Sequence, residues 1–199
     1  MAPLRLKNGP LEAIVLAAGA GTRFGGGKLS APWGEGLLLD GALAAAFAAP
    51  VRAVTVVWGA DPAVLEAASR YADRTGQAAR LHLVRNPQHA EGMGASLRTG
   101  IGSLPPEASG AFVFLGDMPR IPHEILPRLA EALAEGARAA APVCGGQRGH
   151  PVLFREEMFP GLRSLAGDRG AGWILGAMTH GLTLIPTEDD GVLFDVDER

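Results

Sequence analysis

The sequence predicts a three-layer α/β domain built on a mostly parallel sheet. Short apolar runs alternate with helix-like segments along the chain, and most runs are continuously apolar rather than alternating. A strand covered by helices on both faces reads that way. In addition, the polar and glycine-rich stretches follow directly on such runs, where open α/β sheets place their ligands.

Strands are expected at 13–17, 53–58, 80–84, 111–115 and 139–143, with helices at 37–49, 62–74, 94–101 and 122–135. Asp61 followed by Pro62 is a helix start, an aspartate cap before a proline in the first turn. Short helices are expected near 155–165 and 171–178, and strands near 183–186 and 192–196. Residues 1–10 read as a flexible extension of a single domain spanning 1–199, a length sufficient for a full core.

Composition narrows the function classes. Apolar residues make up 47% of the chain and charged residues 20%, as in an ordinary globule. A formal net charge of -3 gives no electrostatic case for nucleic acid or an anionic membrane as partner. Cys144 is the only cysteine, which rules out an intramolecular disulfide and a cysteine-based zinc site. No run approaches the roughly 20 apolar residues of a membrane span. The N-terminal residues also lack the apolar run of a signal peptide, so a cytoplasmic location is expected.

The most informative stretch runs from Ile14 to Lys28, where a short apolar strand enters a glycine-rich loop carrying two cations, Arg23 and Lys28. Small residues let backbone N–H groups approach an anion, and the cations add charge where a triphosphate would lie. Spacing excludes a Walker A loop, because Thr22 stands where its first glycine should be and Leu29 follows the lysine. A dinucleotide fingerprint begins at Gly19 and Gly21 but meets Phe24 at its third glycine.

Asp117 ends the apolar run 112–115, so its carboxylate is expected at the sheet edge where the loops meet. A hard oxygen ligand there suits Mg²⁺, and the alternative is a helix N-cap. Ser96 reads either as a ligand contact or as a cap of its own helix. Trp33, Trp58 and Trp173 read as core or edge residues.

The loop, with Leu16, Ala17, Ala18, Gly19, Gly21, Thr22, Arg23, Gly25 and Lys28, resembles the pyrophosphorylase motif of the MobA-like nucleotidyltransferases of the molybdenum-cofactor type. The resemblance extends over roughly residues 11 to 197, through Asn86 and Pro87, the run from Glu91 to Leu97, the run from Leu115 to Pro119, Gly149 to Phe154, and Gly167 to Ala171. It implies a Rossmann-like α/β/α fold of the nucleotide-diphospho-sugar transferase type. It also implies Mg²⁺-dependent transfer of a nucleotide from a triphosphate to molybdopterin cofactor, with release of pyrophosphate. Alanines at 17 and 18 are similar to cytidylyl members, which makes CTP the expected donor.

On that resemblance, Arg23, Lys28 and Asp117 are the catalytic residues. The loop residues together with Gly92, Gly94 and Ser96 hold the nucleotide, while Arg148, Gly149 and His150 face the acceptor. Asp117 and Asp195 are the expected metal ligands, with Asp197 the next choice; read as a strand, 194–197 would point both C-terminal aspartates to one face. His89 stands where the family has an aromatic residue, and Gly172 where it has an arginine. The family's Asp-x-Asp stretch continues with Thr-Pro, whereas here Glu198 and Arg199 follow. The readings left open are a guanylyl, sugar-phosphate or polyol-phosphate transferase, and a non-catalytic cofactor carrier. A recipient molybdoenzyme or its chaperone is a further expected partner, and nicotinamide oxidoreduction is the least expected reading.

Overall fold

The computed structural model describes residues 9–19, 21, 25–165, 167, 170–178 and 180–196. β1 (Leu11–Ala17) lies inside the sheet because its side chains from Ala13 onward are apolar on both faces, Glu12 being paired with Arg52. Ala13, Val15 and Ala17 enter one core and Ile14 enters the other. β6 (Gly110–Leu115) divides in the same way, with Phe112 and Phe114 in the first core and Ala111 and Val113 in the second. Burying each such phenylalanine stabilises the fold by about 1.5–3 kcal/mol.

β4 (Val54–Trp58) pairs parallel with β1, and β5 (Leu81–Arg85) pairs parallel with β4 as one edge. β6 flanks β1 on its other side, also parallel. Beyond it come β9 (Val152–Arg155), β7 (Ala139–Cys144) and β10 (Leu182–Pro186), the last two parallel to each other. The short β8 (Gln147–Arg148) returns antiparallel along β7.

Helices α1 (Leu38–Ala48), α2 (Ala63–Arg74) and α4 (Ile125–Ala134) supply the first core. α3 (Met93–Gly102), α5 (Phe159–Arg163) and α6 (Ala171–Ala177) supply the second, which completes the three layers. α1 begins where the Asp40 carboxylate accepts the Leu37 N–H at 3.2 Å, satisfying one of the orphan donors of the first turn.

No range was expected for β9, whose apolar run sits inside the expected acceptor motif; it inserts antiparallel between β6 and β7. The expected strand at 192–196 is instead a 3-10 turn over Asp190–Val192 followed by irregular backbone. Its N–H groups find partners within the turn and on neighbouring loops, so no ladder forms there.

This topology brings the loops of interest to one edge. β1, β4, β5, β6, β7 and β10 all run the same way. The segments after their carboxyl ends, and the segment leading into the reversed β9, therefore emerge together.

Candidate active site

At that edge a cavity of about 450 Å³ is lined by Leu16, Ala17, Ala18, Gly19 and Gly21 of the first loop, together with Lys28, Gly92, Ser96, Asp117 and Asp195. Of the residues expected from sequence, Thr22 and Arg23 lie outside the described residues, as does Asp197. Gly94 does not line the cavity: it is buried at the start of α3, where its N–H donates to Gly167 at 3.0 Å.

The loop geometry explains how Lys28 is presented. The Gly26 N–H donates to the Gly21 carbonyl at 3.0 Å, closing the loop on itself. Gly21 has φ +57°, and a Cβ there would stand 2.9 Å from Lys28 Cβ, so only glycine allows the turn and the close approach together. After the loop, the Leu39 N–H donates to Leu29 and the Leu38 N–H to Ala31, which fastens this segment to the start of α1. Lys28 Nζ then reaches Asp117 Oδ2 at 2.8 Å.

Asp117 follows Gly116, whose N–H donates to the Leu16 carbonyl at 3.0 Å, so the turn after β6 is tied to the end of β1. The next helix begins only at Ile125, which sets aside the cap reading of this aspartate. Ser96 is no cap either, since it lies within α3 with its hydroxyl accepting from Asn86 Nδ2 at 3.1 Å. Asn86 is fully buried, and its Oδ1 accepts from the Gln88 N–H and from Thr99 Oγ1. That network holds the loop after β5 against α3.

A second cavity, of about 150 Å³, adjoins the first, sharing Leu16, Met93 and Leu115. It contains Arg148, Gly149 and His150, together with Val113, Val152 and Leu175. Burial lowers the His150 pKa from its ordinary 6.5, more than hydrogen bonding to Val113 raises it, so the ring is held neutral. A Cβ on Gly149 would stand 2.3 Å from the Val192 carbonyl oxygen, so glycine at 149 allows the segment 190–196 to pass close by. Arg148 Nη2 reaches the Gly172 carbonyl at 3.5 Å.

Asp195 reaches the first cavity without a strand: the neighbouring Val196 N–H donates to the Asp117 carbonyl at 3.1 Å, which draws the C-terminal segment onto the turn after β6. Asp117 and Asp195 thus line one cavity, and carboxylates are hard oxygen donors of the kind a divalent cation takes together with phosphate and water. Among the described residues no cluster of three or more His, Cys, Asp or Glu side chains forms a closed cage.

Sequence reasoning gave no role to Met93, although it lies in the quoted stretch from Glu91 to Leu97. It is 46% exposed at the boundary of the two cavities, and an apolar side chain directly after Gly92 was the available signal. His89 also lines the first cavity. Trp33 and Trp173 are exposed rather than core, at 36% and 57%.

Comparison with known proteins agrees with this geometry. The model of the MobA-like NTP transferase domain matches residues 13–182. The molybdenum cofactor cytidylyltransferase of Escherichia coli K12 is 28% identical over 145 residues, covering 72% of this chain and 69% of that protein. The purine catabolism protein PucB of Bacillus subtilis 168 is 28% identical over 191 residues, covering 94% and 91%. Among solved structures, the Mycobacterium sp. strain JC1 homolog of Mycobacterium tuberculosis Rv0371c superposes with a TM-score of 0.74 at 27% identity, covering 98% and 92%. Nucleotidyltransferases of this kind typically use a divalent metal. The chain belongs to the MobA-like NTP transferase family and is a nucleotidyltransferase.

Proposed function

We propose that this nucleotidyltransferase moves CMP from CTP to molybdopterin cofactor and releases pyrophosphate. The observation that carries the reading is the pair of adjoining cavities, one holding the phosphate-type loop, Lys28, Asp117 and Asp195, the other Arg148, Gly149 and His150. A donor in the first and an acceptor in the second would meet across Leu16, Met93 and Leu115.

In this reading a phosphate oxygen of the acceptor attacks the α-phosphorus of the triphosphate. The new O–P bond forms as the bond to the β-phosphate oxygen breaks, and pyrophosphate leaves with the electron pair. A phosphate acceptor is already ionised at neutral pH, so no side chain need remove a proton. The protein instead aligns the two phosphates and neutralises charge. Lys28 and Arg23 neutralise the triphosphate, while backbone N–H groups of the loop after β1 hold its oxygens. Asp117 and Asp195 would hold Mg²⁺, which when bound supplies charge neutralisation to the reacting phosphates. Ser96 and Gly92 shape the nucleotide end. Arg148 faces the phosphate of the acceptor, and the neutral His150 faces its ring. A cytoplasmic location fits this chemistry, and among the described residues no helix is long and apolar enough to cross a membrane.

The test is product analysis. The protein is incubated with Mg²⁺, molybdopterin cofactor and CTP, GTP or ATP in turn, with pyrophosphate release and product mass recorded. The reading expects a cytidine dinucleotide of the cofactor, with CTP preferred. Preference for GTP would move the donor assignment to guanylyl transfer. Pyrophosphate release only with a sugar or polyol phosphate would overturn the acceptor. Cofactor binding without any pyrophosphate would favour a carrier.

A further inference from the structure

Asp195 poses a physical problem that the cavity alone does not solve. It is exposed, it lies on irregular backbone without a ladder, and it shares the cavity with a second carboxylate of like charge. Left to itself, such a side chain would turn to water and away from Asp117. Something must hold it.

The neighbouring residue supplies that restraint. The Arg120 guanidinium carbon lies 4.0 Å from the centre of the Phe194 ring. The Trp33 ring packs against the same residue, with centroids 6.1 Å apart and planes inclined at 45°. Arg120 is on the turn that carries Asp117, and Trp33 is in the small hairpin of β2 (Pro32–Trp33) and β3 (Gly36–Leu37) that follows Lys28. One ring therefore joins the three segments that bring Lys28, Asp117 and Asp195 together.

The backbone around it is fastened at both ends. The Val192 carbonyl accepts the His150 N–H at 2.8 Å, and the Val196 N–H donates to Asp117 at 3.1 Å. Val192 and Val196 are buried, and a Cβ on Gly191 would stand 2.1 Å from the Arg120 carbonyl oxygen. Between these anchors the Phe194 N–H donates to the Gly191 carbonyl at 3.4 Å, and the Phe194 side chain makes the contacts to Arg120 and Trp33. Phe194 is half-buried and packs against the edge of the first core, while Trp33 on its outer side is 36% exposed.

We infer that Phe194, held between Arg120 and Trp33, is a positioning residue that fixes the Asp195 carboxylate beside Asp117 and so sets the affinity of the site for a divalent cation. The inference rests on Asp117 and Asp195 acting as the ligand pair.

The experiment measures binding of Mn²⁺ alone to the full chain by paramagnetic resonance of the free ion, with the melting temperature followed in parallel. Asp117→Asn and Asp195→Asn are each expected to lose affinity. Phe194→Ala should weaken Mn²⁺ by about 10-fold, the range found when groups that orient metal ligands are removed. Phe194→Tyr, which keeps a ring for the guanidinium, should restore it to within about 2-fold. Arg120→Gln weakens the stack without touching the ring and should give a smaller loss, which decides the matter if Phe194→Ala does not fold. Wild-type Mn²⁺ affinity in folded Phe194→Ala, with loss in Asp195→Asn, would overturn the positioning role alone. Wild-type affinity in both aspartate variants would overturn the ligand pair and the positioning role with it.

Discussion

Lys28 Nζ donates to Asp117 Oδ2 at 2.8 Å across 89 positions of sequence, joining the loop after β1 to the turn after β6 inside one cavity. The lysine side chain is 12% exposed and the aspartate 29%, so the pair is partly withdrawn from water. A cation at the carboxylate and a triphosphate at the ammonium would each compete with this contact. The ion pair thus stands between the two ligands that the proposed reaction must bring together.

Lys28→Ala should lower kcat/KM for the nucleotide by about 100-fold, the usual effect of losing one well-placed charge donor in phosphate chemistry. Steady-state kinetics with CTP and saturating acceptor measure it. Unchanged kinetics would remove Lys28 from the site.

Asp117→Asn keeps the shape of the side chain and removes its charge. Turnover should fall by at least about 100-fold while the melting temperature stays close to that of the wild type, because the pair is only partly buried. Kinetics and thermal unfolding on one preparation separate the two effects. Near-normal turnover would reject Asp117 as a catalytic ligand.

Asn86→Ala should destabilise the protein by about 1–3 kcal/mol. Its fully buried amide serves Ser96, Gln88 and Thr99; truncation removes the donor to the buried Ser96 hydroxyl and opens a gap between the loop and α3, while Thr99 keeps its bond to the Ala95 carbonyl. Urea denaturation measures the loss. A change below about 0.5 kcal/mol would mean that the loop repacks around the gap.

The pH dependence of stability follows from His150. Burial depresses its folded pKa below the ordinary 6.5, so between those values the unfolded chain binds more protons than the folded one. Stability from this group is therefore fully present above about pH 6.5 and is lost as the pH falls toward the folded pKa. Denaturation midpoints at pH 8 and pH 5.5 should differ less in His150→Gln than in the wild type. An equal fall in both proteins would assign the acid sensitivity to other groups.

Much of the site was legible before the fold was known. Ile14 to Lys28 read as a strand entering a glycine-rich loop, and Gly19, Gly21 and Lys28 do line the cavity after β1. Asp117 was legible because a carboxylate directly after an apolar run must leave the sheet at its edge. Met93 was not, since an apolar residue beside glycines reads equally well as the first turn of a core-facing helix. The strand expected at 192–196 failed for a related reason. Apolar and acidic residues alternate there, but the backbone bonds are made to the loops carrying Asp117 and His150.

The sequence by itself determined the layered α/β class, the central strands and the glycine-rich loop after β1, because each follows from local periodicity and local residue chemistry. Tertiary structure decided the rest. The reversed strand Val152–Arg155 entered between β6 and β7, Asn86 became the buried anchor of Ser96, and Phe194, next to Asp195 in the chain, met Arg120 and Trp33. Such contacts join residues far apart in the chain, and no local pattern encodes them. They exist because the sheet collects the ends of its strands at one edge, where each loop must satisfy its polar groups against whichever neighbours it finds there.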